Sequence, residues 1–374
     1  MRRSSHAAVP LPGFAAGVAP ASLVESPRSP PRLGVRPRIS VLMPVHNGER
    51  WLAEAVQSIR AQSESRLELI IVDDGSTDQT QVLLADLAGA DRRIRVLEQD
   101  HRGLAAALNH GIAAAQAPYI ARLDADDVAY PSRLERQAEV LDAQPGIGLV
   151  GAWAAEIDAR GRRRGLRTPA TGGGELRQIL NRGNPFVHST VMARTTLLRG
   201  LGGYRCAFQG AEDYDLWLRA SEVAELANIP EVLAGYRLHA ESISRRLRLR
   251  QAFSVRLAQR AAAIRRRTGL DPADGLDAPP DWRGAGCDFY QDAAELYRWL
   301  DPGCQSRRSP AMALAGRDWV AGLTHDERRL AALAMLARLR NPDRATSDDA
   351  RRLLMRLCRD RPRTVLSAAW SLRT

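Results

Sequence analysis

Two short apolar runs, each ending in a cluster of acids, constrain this chain more than any other feature. Leu69-Ile70-Ile71-Val72 runs into Asp73-Asp74-Gly75-Ser76, and Tyr119-Ile120-Ala121-Arg122-Leu123 runs into Asp124-Ala125-Asp126-Asp127. A short β-branched-rich run closed by turn chemistry reads as a buried parallel strand. Ligands of open α/β sheets sit beyond the carboxyl ends of such strands. Acids gathered there raise the local negative potential, which is useful only where a cation or a donor-rich ligand compensates it. The Asp-x-Asp spacing places two carboxylates near one metal ion, and Asp73 can accept hydrogen bonds from a base or a ribose. The pattern points to a site for a metal-bound nucleotide.

Strands and helices alternate around these runs. Ile39-Ser40-Val41-Leu42-Met43-Pro44 reads as a strand closed by the turn-like Val45-His46-Asn47-Gly48, and Leu52, Ala55, Val56 and Ile59 recur at helical spacing. Ser76, with Gln79 three residues on, predicts a capping box for a helix carrying Val82, Leu83 and Leu87. Ile94–Leu97 is a third strand, and a helix from Gly103 to Ala115 leads into the Tyr119–Leu123 strand. This series predicts an α/β fold with a doubly wound, mostly parallel sheet. A further helix follows from Pro131 to Leu141, and Leu149–Ile157 with the turn Asp158-Ala159-Arg160-Gly161 predicts a hairpin. Gly146-Ile147-Gly148-Leu149-Val150-Gly151 matches G-x-G-x-x-G letter for letter. A dinucleotide fingerprint follows a strand and opens a helix; here a helix precedes and a strand-like run follows, so the match is accidental.

The two ends differ from this middle. Residues 1–37 are rich in Pro, Ala, Ser and Arg without periodicity and read as a disordered leader. Residues 38–244 form the α/β domain, and residues 245–374 read as a basic α-helical region, densest in arginine at 245–250 and 265–267. The net charge is +11 and every basic side chain is arginine, because the chain contains no lysine. That absence excludes a Walker A loop and a pyridoxal-phosphate Schiff base. No apolar stretch approaches the ~20 residues that span a bilayer, and prolines at 10, 12 and 20 break any secretory signal. Cys206, Cys287, Cys304 and Cys358 show no Cys-x-x-Cys spacing, which fits free thiols in a reducing cytoplasm.

From Ile39 to about residue 244 the chain resembles family-2 glycosyltransferases of the GT-A fold. Five blocks carry the resemblance: Ser40–Asn47, Val72–Asp78, Gly103–Asn109, Leu123–Asp127 and Gly210–Leu218. It implies an inverting transfer of a sugar from a nucleoside-diphosphate-sugar to a hydroxyl acceptor, in polysaccharide or glycolipid assembly. A diphosphate leaving group needs an electrophile, which Mg2+ or Mn2+ supplies. By resemblance Asp126 is the main metal ligand, with Asp124 ligating or holding the ribose and His239 approaching the metal. Helix capping would explain one of these acids, but not three within four residues. Pro44, His46, Asn47 and Asp73 are placed at the nucleoside, although Asp-Gly-Ser and Asn-Gly are also plain turn chemistry.

An inverting displacement needs one general base. Glu212, Asp213 and Asp215 would each suit a helix first turn, and the resemblance selects Asp213, with Glu212 beside the substrate. Arg237 is placed to pair with a phosphate, and His188 near the acceptor. Two alternatives stand beside this reading. A sugar-nucleotide nucleotidyltransferase wants a Gly-rich basic loop after the first strand, where this chain has Pro44-Val45-His46-Asn47. A nucleic-acid-binding protein wants aromatics interleaved with a basic stripe, and aromatics make up only 5%; nucleic acid is not an expected partner. The arginine-rich tail suits an anionic surface, which places the protein in the cytoplasm, peripherally at the inner face of the plasma membrane.

Overall fold

The computed structural model describes residues 36–239, 248–284 and 289–301, with single positions at 327, 330 and 331. The leader apart from Arg36 and Pro37, the 244/245 boundary with Arg245 and Arg246, and most of the tail beyond residue 301 lie outside the described residues. The strand β1 (Ile39–Val45) is buried along its whole length. It pairs in parallel with β2 (Leu67–Asp74) and β4 (Tyr119–Arg122), and β3 (Ile94–Gln99) is parallel to β2. Crossovers run through α1 (Leu52–Arg60), α2 (Thr80–Ala90) and α3 (Leu104–Ala114). After β5 (Val128–Ala129) come α4 (Arg133–Ala143), β6 (Ile147–Ile157), β7 (Arg163–Arg167), α5 (Gly173–Leu180), β8 (Met192–Arg194) and α6 (Thr195–Gly200). The chain continues through α7 (Glu212–Ala220), β9 (Glu225–Arg237), α8 (Arg248–Thr268) and α9 (Gln291–Leu300).

The strand order is β3-β2-β1-β4-β8-β6-β9-β5, with β7 paired to β6. The expected α/β architecture is present, and the sheet divides into two halves. It is parallel from β3 to β4, whereas β8 runs antiparallel to both β4 and β6. Beyond it β6 and β9 are parallel, and β5 is antiparallel to β9. The parallel half is what βαβ alternation dictates. The other half departs from it because β8 reaches its place between β4 and β6 through long-range pairing rather than a helical crossover.

Side chains alternate along a strand, so β1 feeds two layers. Val41, Met43 and Val45 pack with Leu52, Val56 and Ile59 of α1 and with Leu134 and Leu141 of α4. Leu42 joins Ile70 and Val72 beneath Leu108 and Ile112 of α3 and Trp217 of α7. Phe253 and Leu257 of α8 and Tyr297 of α9 belong to the same apolar cluster. No helix among the described residues is long and apolar enough to cross a membrane.

Local expectations hold unevenly. The hairpin forms as β6 and β7, and the Gly146–Gly151 segment enters strand β6 instead of opening a helix. The Ser76–Gln79 capping box does not form: α2 starts at Thr80 after Gln79, with no side-chain cap. Ser76 is drawn elsewhere, its Oγ accepting from the Asn47 amide at 2.9 Å. The helix expected from Pro131 begins two residues later, at Arg133.

Candidate active site

β4 ends at Arg122, and the chain turns sharply, the Asp127 amide donating to the Asp124 carbonyl at 3.2 Å. That turn gathers the acids: one carboxylate oxygen from each of Asp124, Asp126 and Asp127 lies within 4.8 Å of the others. The Arg122 guanidinium forks onto both oxygens of Asp124. Ser189 Oγ donates to Asp124 Oδ2 at 3.0 Å. Asp126 is the more exposed acid, and His239 Nε2 donates to its Oδ2 at 2.8 Å. Asp127 is buried, and the Arg237 amide donates to its Oδ1 at 2.7 Å. Burial, with the charges of Asp126 and Asp124, raises the Asp127 carboxyl well above the carboxylate range. Three hard carboxylate oxygens this close suit a divalent cation such as Mg2+ or Mn2+.

Three buried arginines hold this corner. Arg122 is 3% exposed, and its carbonyl accepts from Arg133 Nη2 at 2.7 Å. Arg133 is itself fully buried, and desolvation together with the Arg122 charge lowers its pKa to about 9. Arg237 is committed inside the protein: Nε donates to the Asp126 carbonyl at 2.6 Å and Nη1 to the Asp158 carbonyl at 3.2 Å. Its Nη2 donates to Glu54 Oε2 at 2.8 Å, so a phosphate would have to compete with that carboxylate. The Trp51 ring lies 4.4 Å from the His239 ring and closes this side.

The ends of β1 and β2 form a second group. Pro44 is buried within β1 opposite Val72. His46 and Asn47 stand exposed beyond it, with Asn47 at φ 54°. Asn47 Oδ1 accepts from the Thr77 amide at 2.8 Å, so these two residues tie the β1 and β2 loops together. Asp73 is 1% exposed, and its carboxylate accepts from the Ser76 amide at 3.0 Å and Gln81 Nε2 at 3.3 Å. Asp74 is the hub of the neighbouring loop, accepting from Gln99 Nε2 (2.7 Å) and the amides of Arg102 (2.8 Å) and Gly103 (2.9 Å). The His46 and His101 rings stack at 4.1 Å, and each Nδ1 is within hydrogen-bond distance of the Asp74 carbonyl, which accepts.

The third group opens α7. Asp213 Oδ2 accepts from Asn184 Nδ2 at 2.6 Å, and its Oδ1 from the Tyr214 amide at 2.7 Å. Burial raises the Asp213 carboxyl, while the bonds from Tyr214 and Asn184 and the Arg122 charge act to lower it. Glu212 is 6% exposed, and burial plus the Asp213 charge pushes it up to about 7. His188 Nε2 and the Tyr204 hydroxyl share a hydrogen bond of 2.9 Å. Burial and the Arg122 charge hold His188 well below the usual imidazole range, so its ring stays neutral. Asp215, the third acid of this turn, is fully buried in ion pairs with Arg205 and Arg219.

Comparison with known proteins identifies the family. The pattern of Glycosyl transferase family 2 matches residues 40–199. EpsE of Bacillus subtilis is 37% identical over 218 residues, covering 56% of this chain and 76% of that protein. The chain belongs to the family-2 glycosyltransferases. The amylovoran biosynthesis glycosyltransferase AmsE of Erwinia amylovora is 30% identical over 211 residues, covering 55% of this chain and 79% of AmsE. Among solved structures, the mannosyltransferase PcManGT of Pyrobaculum calidifontis, in complex with GDP-Man and Mn2+, shares the fold at a TM-score of 0.50. It is 19% identical and covers 93% of this chain and 90% of that one.

Several residues of this glycosyltransferase site escaped the sequence reading. Arg122 was within reach, since it is the last residue of β4 and stands two residues before Asp124. Tyr204 carries no local signal, because it arrives from far along the chain, whereas Asn184 and Ser189 belong to the segment around His188 that the resemblance itself places near the acceptor.

Proposed function

We infer that this glycosyltransferase moves a sugar from a nucleoside-diphosphate-sugar to a hydroxyl acceptor with inversion, by one in-line displacement. The observation that carries the reading is the acid corner at the end of β4, its oxygens within 4.8 Å of one another. Asp126, with Asp124 and the neighbouring His239, would hold Mg2+ or Mn2+, which when bound neutralises the charge developing on the diphosphate. Arg122 and Ser189 fix the Asp124 carboxylate, so its orientation does not depend on a ligand. Asp73, His46 and Asn47 line the nucleoside end, on the side of the sheet edge where ligands of α/β folds bind.

Asp213 accepts the acceptor proton. Asn184 orients its carboxylate, and partial burial strengthens it as a base relative to an exposed aspartate. His188, held neutral, offers the acceptor a hydrogen-bonding partner without a competing charge. Arg237 acts by positioning Asp126 and Asp127 through its hydrogen bonds to both, and any contact with phosphate is secondary. A place in surface polysaccharide or glycolipid assembly is supported by the kind of pathway in the name of AmsE. The protein then works in the cytoplasm at the inner membrane surface.

The test is release of nucleoside diphosphate from a panel of UDP-, GDP-, dTDP- and CDP-sugars with Mn2+ or Mg2+. Turnover of one donor class, lost in Asp126→Ala and in Asp213→Asn, is the expected result. Equal turnover by wild type and Asp213→Asn would remove the base assignment.

A further inference from the structure

The β6–β7 hairpin carries a charge pattern that the transfer site does not use. Arg160, Arg162, Arg163, Arg164 and Arg167 fall within eight residues, and all five are exposed. Among the described residues only two acids answer them. Arg162 and Arg164 share Asp158, while Arg167 pairs with Glu156 at 2.9 Å and lies 4.3 Å over the Tyr236 ring. Arg160 and Arg163 have no acidic partner among the described residues. In the middle of this basic run stands Leu166, a large apolar side chain left 46% exposed.

The hairpin is rooted in the transfer site. Trp51 Nε1 donates to the Ala159 carbonyl at 3.4 Å, and Arg237 Nη1 to the Asp158 carbonyl at 3.2 Å. The Leu238 amide donates to the Ile157 carbonyl at 2.8 Å, one residue before His239, which bonds Asp126. A surface bound to the hairpin is therefore bound next to the acid corner.

We propose that the β6–β7 hairpin docks this protein on an anionic bilayer surface, with its arginines on headgroup phosphates and Leu166 in the interface. A soluble polyanion would match the charge but leave Leu166 without a use; a bilayer surface takes both. The proposal deepens the reading of a membrane-side transfer and rests on it for its consequence, that the acid corner is held at the lipid. It concerns a surface apart from the basic helices, and the variants that test it leave every transfer-site residue in place.

The experiment uses the full chain and vesicles of phosphatidylcholine with or without phosphatidylglycerol, read by co-sedimentation. Each arginine near an anionic surface is worth roughly a fivefold change in partition, so R160Q/R163Q is expected to bind about 30-fold more weakly. Leu166→Ser is expected to weaken binding severalfold at unchanged charge. Donor turnover without vesicles, measured in parallel, is expected to be unchanged in both variants. Wild-type partition undiminished in R160Q/R163Q would overturn the proposal, as would wild-type binding to neutral vesicles as strong as to anionic ones. Release by inorganic diphosphate at constant ionic strength would also overturn it, by showing a site for soluble phosphate. If the wild type turned over no donor, the transfer reading would fail while the vesicle result stayed interpretable.

Discussion

Replacing Glu212 with glutamine is expected to remove a pH dependence of stability that the wild-type chain carries. Glu212 is 6% exposed, and burial together with the Asp213 charge pushes its carboxyl up to about 7 from the ordinary 4.5. Between those two values the folded chain keeps a proton that the unfolded chain has lost. Stability therefore falls as the pH rises through this window. At about 1.4 kcal/mol for each pH unit between the two values, the loss is roughly 3 kcal/mol. It is almost absent at about pH 4 and almost complete at about pH 8. Glutamine has no proton to lose, so E212Q should gain roughly 3 kcal/mol on the wild type between those two conditions. Urea denaturation of both proteins at each pH measures the difference, with groups remote from Glu212 cancelling and Asp213 included through its coupling to Glu212. Parallel pH profiles for the two proteins would refute the reasoning, because they would mean that Glu212 is as solvated in the folded chain as in the unfolded one.

Three further outcomes are expected. Asp213→Asn should lower turnover by ~10²–10⁴-fold while donor affinity, read by calorimetry, stays within a few-fold. Arg122→Gln should destabilise the fold by about 3–5 kcal/mol in guanidinium melts, because it leaves the Asp124 carboxylate half-buried without its fork; a loss below about 1 kcal/mol would show that solvent replaces the arginine. Asp74→Ala should cost about 1–3 kcal/mol, since the amides of Arg102 and Gly103 lose their acceptor, and limited proteolysis should then cut first in the loop between β3 and α3.

The parallel half of the sheet was legible because strands buried on both faces leave continuous apolar runs, as at Leu69–Val72, and helices between them keep a 3.6-residue period. The acid corner was legible for a different reason: capping cannot explain Asp124, Asp126 and Asp127 together. The strand β8 was not, since Met192–Arg194 is too short for any period and is ordered by β4 and β6. Turn chemistry also could not divide roles between neighbours. Asp73 and Asp74 look alike in the sequence, yet Asp74 ties β2 to the loop before α3 while Asp73 serves its own turn. Glu212 and Asp215 share a helix turn with Asp213, and only the packing shows that Asp215 is consumed by Arg205 and Arg219.

Thermal unfolding with UDP, GDP, dTDP and CDP, each with Mn2+ or with EDTA, tests the central claim most directly. A nucleotide at about 100 times its Kd should stabilise the fold by roughly 2.7 kcal/mol. The account predicts such a rise for one nucleotide, present with Mn2+, lost in EDTA and lost in Asp126→Ala. An equal rise in EDTA, or one that survives in Asp126→Ala, would contradict the assignment of the acid corner to a metal-bound nucleotide.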